Sequence, residues 1–541
     1  MKNILELILA LLMVFSMLAA CGANNEVAKE DPKNETESNE GKRTMITVGI
    51  ESNVATLTPI LKISGHTASV TGMVFENLGQ FVGTEFTGVL MESWEKVDDV
   101  TYKVKLYDYI YDAAGNHFTS SDVAYCVQRA SEGGISYAKY AKEIEIIDDA
   151  NFVLHLAAAD VGYFEDFCQS IWMYTQKAME ASSDDMATDP VGTGPYVCTL
   201  YESSSEYRFE ARDNYWQKPE LTPACSKANV DVVRYLVIKE AAQMAVALQN
   251  DTVQLAYWVP SSVVKDVQKI DGLNVEQLAI TQMRNMVFNC SENSIFGGEN
   301  GKLLRQAVAY ACNSQAMVDA GLGGLGQPTY GWGKRGTIGY NEAWEDQGYY
   351  SYNPEKAKEL LVEAGYPDGF ECTFYGVDNN WSRQFMQVVQ ANCAAVGITM
   401  HIDWMTDNVN ASMQRNLSGP ANGAWDIYQI STSHPAGYQQ GYFNYLCDVR
   451  TSNNGYNYFG LNDPELQALV EAAGSLDWTQ EDVDALHDTV VENCYVYTPF
   501  DSSQMIAYSE DIEEVYYRNF RKDPLIHCAT FAEDWSYFYE E

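Results

Sequence analysis

The chain has 541 residues, 46% of them hydrophobic and 12% aromatic, enough to bury more than one core at about 100 to 200 residues per domain. Its 34 basic and 75 acidic residues leave a formal charge of −41, a field that repels nucleic acid and anionic polymers and excludes them as partners. The acidity identifies no cationic ligand, because carboxylates spread over a surface serve solubility.

An apolar run from Leu7 to Phe15 leads into Leu18-Ala19-Ala20-Cys21, and a polar, small-residue segment from Gly22 to Lys42 follows at once. A short apolar region ending in small residues before a cleavage point is the pattern of a secretory signal. The cysteine just after that point makes the four residues resemble the lipobox of bacterial lipoproteins, in which Cys21 would be acylated. A membrane anchor is the poorer reading, since roughly 20 apolar residues are needed to span a bilayer. The expectation is therefore a signal peptide over 1–20 and a disordered tether over 21–43, which has almost nothing apolar to bury. No later stretch approaches spanning length. The body is expected to be soluble and lipid-anchored at the outer face of the cell membrane, which is the periplasmic side if the envelope is Gram-negative; the sequence leaves the envelope type open.

Order begins at Thr44-Met45-Ile46-Thr47-Val48-Gly49-Ile50, which reads as a buried strand. The segment Thr101–Leu106 alternates, so one face carries Tyr102, Val104 and Leu106. A turn at Asp112 to Asn116 precedes Thr119-Ser120-Ser121-Asp122, whose spacing suits a capping box opening a helix through Ala130. In Asn353-Pro354-Glu355-Lys356-Ala357 the Asn caps and Pro takes the first helical position. Ala357, Leu360, Leu361 and Ala364 then share an apolar face that Gly365 ends. Asp463-Pro464 with Leu466, Leu469, Val470, Ala473 and Gly474 repeats that grammar. A third helix carries Phe385, Val388, Val389 and Val396 to Gly397, and the alternating strand Ile398–Ile402 follows. Helices feeding strands through glycine turns predict α/β layers.

Beyond Cys21 the chain has eleven cysteines and no C-x-x-C pair, so singles such as Cys312 and Cys393 read as small buried hydrophobes. The seven histidines show no metal-ligand spacing, and Gly192-x-Gly194 is too short for a phosphate-binding fingerprint. No G-x-S-x-G elbow is present, and nothing ties a Ser or Cys to a His and an acid. Neither an enzyme nor a cofactor nor a metal centre is expected.

Several blocks resemble the family 5 extracellular solute-binding proteins, the oligopeptide, dipeptide and nickel binders of ABC importers. They are Glu92-Ser93-Trp94-Glu95 with Phe118–Val123, and Val191-Gly192-Thr193-Gly194-Pro195-Tyr196 with Arg212-Asp213-Asn214-Tyr215-Trp216. Two more are Arg305–Ala311, and Tyr352–Ala357 running to Gly365-Tyr366-Pro367-Asp368-Gly369-Phe370. They stand in family order across about residues 45 to 535.

The resemblance implies an α/β, two-lobed, periplasmic-binding-protein-like (Venus-flytrap) fold of type II with an extra inserted domain. Lobe I would comprise 44–75, 190–282 and 496–541, the inserted domain II 76–189, and lobe III 283–495. Lobe crossings are expected near Met283 to Asn289 and Tyr495 to Phe500, closing by hinge motion. The implied partners are a small, peptide-like solute, an ABC permease with its ATPase, and the membrane through the lipid anchor; the protein is expected to be a monomer.

Rigid aromatics supply contact area at low entropic cost. Family comparison implies that Trp258 and Trp404 line the cleft; Tyr428 is a further ligand-binding candidate, and His434 is either a ligand-contacting imidazole, as in nickel-chelate binders, or a loop histidine with a local hydrogen bond. Peptide binders of the family carry an aspartate in the loop that here reads Ser431-Thr432-Ser433-His434-Pro435. Burying a peptide ammonium without a carboxylate is costly, so peptide binding needs Asp403 or Asp407 as a substitute. Oligosaccharide and metal chelate are the alternative cargoes, and a sensory lipoprotein that presents ligand to a signalling receptor is the alternative role.

Overall fold

The structure is a computed structural model. It describes residues 43–61, 66–82, 85–378, 380–405, 425–432, 437–447, 460–461, 463–518, 523–532 and 535–539. Its frame is one 11-stranded sheet. Numbered in chain order, its strands are β1 (Met45–Ile50), β2 (Tyr196–Glu202), β3 (Glu206–Ala211), β4 (Val232–Val237), β5 (Leu255–Tyr257), β6 (Leu273–Phe288), β7 (Gly326–Pro328), β8 (Glu371–Val377), β9 (Thr399–Met405), β10 (Ile427–Thr432) and β11 (Val496–Ser509). They lie side by side as β9-β8-β10-β6-β11-β5-β1-β4-β3-β2, with β7 on the edge of β11.

Two long strands hold this sheet together. The first part of β6, Leu273 to Leu278, pairs antiparallel with Ser509 to Gln504 of β11. Its second part, from Gln282, pairs with β11 from Ser502 back to Val496. Between these ladders three residues of β6, 279–281, stand opposite Ser503 alone. Such a bulge bends the strand and raises its local twist. A second register shift sets Asn285 opposite Thr498 and Pro499, inside the windows Met283 to Asn289 and Tyr495 to Phe500 read from the sequence. Met283–Phe288 is already laddered to β10, and Val496–Phe500 to β6.

A separate core lies on each side of this crossing. The first gathers Ile46, Val48 and Ile50 of β1 with Phe75, Phe118, Tyr196, Phe209, Tyr235 and Ile506. It also takes Val104, Leu106, Phe152 and Leu154 from a four-stranded satellite sheet ordered Met91–Lys96, Thr101–Leu106, Asn151–Leu156, Ala141–Ile146. The second core runs from Met283 to Phe500 and contains Phe288, Leu304, Val308, Phe374, Phe385, Val470 and Leu486. A smaller third cluster, Met244, Leu248, Ala256, Val264, Val267 and Met505, sits under the Ala241–Gln249 and Val264–Val267 helices.

Local signals read in the sequence are met. At the Ser120–Glu132 helix the Thr119 amide donates to Asp122 Oδ2 at 2.7 Å, completing a capping box. Asn353 Oδ1 accepts from the Lys356 amide at 3.0 Å ahead of Pro354. Asp463 accepts from the Glu465 amide at 2.9 Å. Ala357, Leu360, Leu361 and Ala364 are buried together. In Thr101–Leu106, Val104 and Leu106 point inward, and Tyr102 stacks on Phe164 with centroids 4.2 Å apart. Among the described residues ten cysteines are free, nine of them buried.

Candidate functional site

The crossing is where polar chemistry collects in an otherwise apolar sheet. Residues 496–503 of β11 are all buried, yet they include Asp501, whose carboxylate is 0% exposed. Arg335, in the loop between β7 and the Glu342–Gln347 turn of 3-10 helix, places Nη1 3.4 Å from Asp501 Oδ2 and Nη2 2.8 Å from Glu345 Oε2. The first contact pairs charge without hydrogen-bond alignment: among the described residues neither Asp501 oxygen accepts a hydrogen bond. Burial pushes Asp501 up to about 7 against the pull of Arg335. Burial works to lower Arg335, but the negative charges of Asp501 and Glu345 outweigh it and hold the guanidinium above its ordinary value.

The supports of this cluster come from three elements. Tyr340 donates to Glu345 Oε1 at 2.7 Å and the Tyr330 amide to Glu345 Oε2 at 3.2 Å. The amide of Lys334, 2% exposed, and the Thr337 hydroxyl both donate to Gln439 Oε1, at 3.0 and 2.9 Å. Asn285 links the strands: Thr498 donates to its Oδ1 at 2.7 Å, and its Nδ2 donates to the Tyr442 hydroxyl at 3.3 Å.

Beside this cluster a cavity of about 470 Å³ opens between the two sides of the crossing. Gln277 and Leu278 line it from the first half of β6, Gly326, Gln327, Arg335 and Gly336 from the second side, and Ser503 from the crossing itself. Its described lining offers a guanidinium, two amides and a hydroxyl, and no carboxylate. It is of a size and polarity to hold a small solute carrying a negative group. No nucleophile stands beside a base in this lining.

The sequence-derived residues fall in different places. Trp258 lies at the crossing: the amide of the next residue, Val259, donates to Met505 O at 2.7 Å. Its φ of 64° is left-handed, a conformation costing a bulky residue about 1 to 3 kcal/mol, and its ring is tilted against Tyr257 at 4.9 Å. It is not among the lining of this cavity. Trp404 sits on the sheet's outer strand β9 under the Arg383 guanidinium, 4.9 Å from its ring. Tyr428 is 0% exposed within the second core, 5.9 Å from Trp425. His434 and Asp407 lie outside the described residues, as does Cys21. Asp403 is exposed on β9, where its charge raises Tyr375 further beyond what burial does.

Sequence reasoning missed Arg335, Asp501, Glu345, Gln277, Gln327 and Ser503. Asp501, alone in its charge within Val496–Ser509, was the legible signal. Nothing local announced the arginine it meets.

The two sides also touch through other elements. Asp160 and Ser475 form an isolated antiparallel bridge, and the Tyr438 ring lies against Gly162 at the start of the Tyr163–Ser170 helix. Two cores, two shared crossing strands and a solute-sized cavity between them define a binding clamp of the type II periplasmic binding-protein class.

The chain belongs to the bacterial extracellular solute-binding proteins, family 5, whose middle-region model matches residues 85–454. It is 26% identical over 371 residues to the glutathione-binding protein GsiB of Salmonella typhi, covering 66% of this chain and 69% of that one. Among solved structures it is similar to AgaA of A. tumefaciens R10 in complex with agropinic acid, at 20% identity and a TM-score of 0.77, covering 90% of this chain and 99% of that one. It is also similar to a dipeptide-binding protein of Pseudoalteromonas sp. SM9913 in complex with Met-Leu, at 16% identity and a TM-score of 0.74, covering 90% and 100%. Among the described residues no helix is long and apolar enough to cross a membrane.

Proposed function

We propose that this protein is a lipid-anchored extracellular receptor that captures a peptide-like solute with a negatively charged group and hands it, chemically unaltered, to an ABC permease and its ATPase. The observation that carries the reading is the cavity between the two sides of the crossing, where the Arg335 guanidinium meets the amides of Gln277 and Gln327. The relatives' cargoes, glutathione and a dipeptide, carry carboxylates of the kind this lining suits. In this reading 44–75, 190–282 and the end of the chain act as lobe I with 76–189 as its inserted domain, and 283–495 acts as lobe III, whose core the adjoining stretch Val496–Phe500 shares. The bulged crossing strands flex to admit the solute. Cys21 carries the acyl chains that hold the body at the outer face of the cell membrane.

The test is a titration with glutathione and a panel of di- and tripeptides, followed by tryptophan fluorescence and calorimetry, with the bound solute recovered and weighed by mass spectrometry. Saturable binding and an unchanged solute mass are expected. No binding across the panel, or a solute recovered as products, would sink the reading. Intact mass of the detergent-extracted protein tests the anchor: a mature chain starting at Cys21 with acyl mass is expected, and an unacylated one refutes it.

A further inference from the structure

Asp501 is an awkward residue for a binding site that favours anions. Its carboxylate is fully buried and accepts no hydrogen bond among the described residues, and it stands 3.4 Å from the guanidinium that lines the cavity. The charged groups facing it all come from the loop and turn after β7. Arg335 and Lys334 attract it, and Glu345 repels it while holding the other guanidinium nitrogen at 2.8 Å. With the cavity empty, two cations face two carboxylates and the cluster is neutral.

An anionic solute at Arg335 brings a third negative charge to a guanidinium already shared by two carboxylates. Like charges in a buried site cannot all remain ionised without a large penalty, and the group least solvated and least hydrogen-bonded takes the proton. Glu345 accepts from Tyr340 and from the Tyr330 amide, so its charge is satisfied. Asp501 has no such support.

We propose that capture of an anionic solute takes up one proton from solvent, held on the Asp501 carboxylate, so that binding tightens as pH falls. This rests on the solute-binding reading of the same cavity. The proton adds to a carboxylate oxygen, no other bond is made or broken, and the cluster with bound solute returns to neutrality. Affinity is then linked to pH: above the free-state titration of Asp501, which burial places at about 7, the binding constant falls about tenfold per pH unit. In acid, where Asp501 is already protonated, it levels off.

The experiment is calorimetry on the full mature chain with glutathione as the probe, at several pH values from about 6 to 8, each in two buffers of different ionisation enthalpy. The heat difference between buffers counts protons. Uptake is expected to rise from near zero at the acid end toward one proton at the alkaline end. Asp501→Asn is expected to abolish uptake and flatten the pH dependence of affinity, whereas Glu345→Gln should retain uptake. Saturable binding without uptake in the native chain overturns the proposal and leaves the solute-binding reading standing, as does uptake that survives in D501N. If glutathione does not bind, the same measurement is made with a di- or tripeptide of the panel that does; absence of binding across the whole panel at every pH overturns both. Because the native chain alone gives the proton count, the proposal stays falsifiable even if D501N folds poorly.

Discussion

The amide of Val161 donates to the carbonyl of Gly474 at 2.8 Å, joining the strip before the Tyr163–Ser170 helix to the end of the Pro464–Gly474 helix. One partner belongs to the side of the first core and the other to the side of the second. Next to this bond Gly162 has φ of +80°, and a Cβ there would lie 3.0 Å from Tyr438 Cδ2. Tyr438 in turn sits in the strip that Ile338 bridges, with the Ile338 amide donating to Gly437 O at 2.8 Å and the Gln439 amide to Ile338 O at 2.8 Å. Arg335 and the interlobe contact are thus tied to one short backbone ladder.

If this contact holds the clamp shut, weakening it speeds release. Tyr438→Ala removes the ring over Gly162 and is expected to cost closure about 1 to 1.5 kcal/mol, roughly a tenfold faster dissociation. Stopped-flow tryptophan fluorescence with a bound peptide measures it, with small-angle scattering reporting a larger radius for the variant. An unchanged dissociation rate would remove the contact from the closing mechanism.

Arg335→Gln deletes the cavity's cation. Hydrogen bonds to a charged group contribute about 1.5 to 3 kcal/mol, so affinity for a carboxylate-bearing solute is expected to fall roughly ten- to a hundredfold. Arg335→Lys should recover part of the loss, because it restores the charge but not the planar fork. Calorimetry with a peptide and its C-terminal amide makes the comparison; an equal loss for both would show that the arginine does not read the carboxylate.

Asp166 gives a pH signature in stability. It is buried beside Tyr438 and Glu165, and burial pushes its carboxyl up to about 8 against a 2.9 Å hydrogen bond from Gln169. The folded chain keeps this proton where the unfolded chain has lost it, so native stability from this group is full below the unfolded value of about 3.9 and declines as pH rises to the folded one. Asp166→Asn cannot titrate. Its melting temperature relative to the native chain is expected to climb between about pH 5 and 8, at no more than about 1.4 kcal/mol per pH unit, and then level. A constant difference across that range would contradict the assignment.

Gly369 carries a purely steric prediction. Its φ is +85°, and a Cβ added there would stand 1.8 Å from Gly397 O. This close approach sets the Phe370–Thr399 start of the β8–β9 pair, where the Thr399 amide donates to Phe370 O at 2.8 Å. Gly369→Ala is expected to destabilise by at least about 2 kcal/mol, seen as a lower denaturant midpoint; a neutral effect would mean the two backbones part easily.

The legible parts of this protein were those fixed by neighbours in sequence. Asn353 and Asp463 cap helices because a short polar side chain reaches an amide two or three residues on, and Asp122 reaches back three residues to the Thr119 amide, contacts that need no distant partner. The glycine turns and the alternation of Thr101–Leu106 were legible for the same reason. Tyr428 and Trp404 show the limit. Aromatic character marked both as candidates for a cleft wall, yet one lies deep in the second core and the other on the outermost strand, and residue type alone does not separate these fates.

The sequence by itself determined the family, the α/β layering, the helix ends and the absence of a phosphate-binding or nucleophile motif, because each rests on short-range pattern. Only the tertiary structure decided that β6 bulges opposite Ser503, and that Asp501, Arg335 and Glu345 share one buried cluster beside a cavity. Asp501 lies 166 residues beyond Arg335. Their meeting depends on β11 returning to lie between β6 and β7, a long-range pairing that no local spacing encodes.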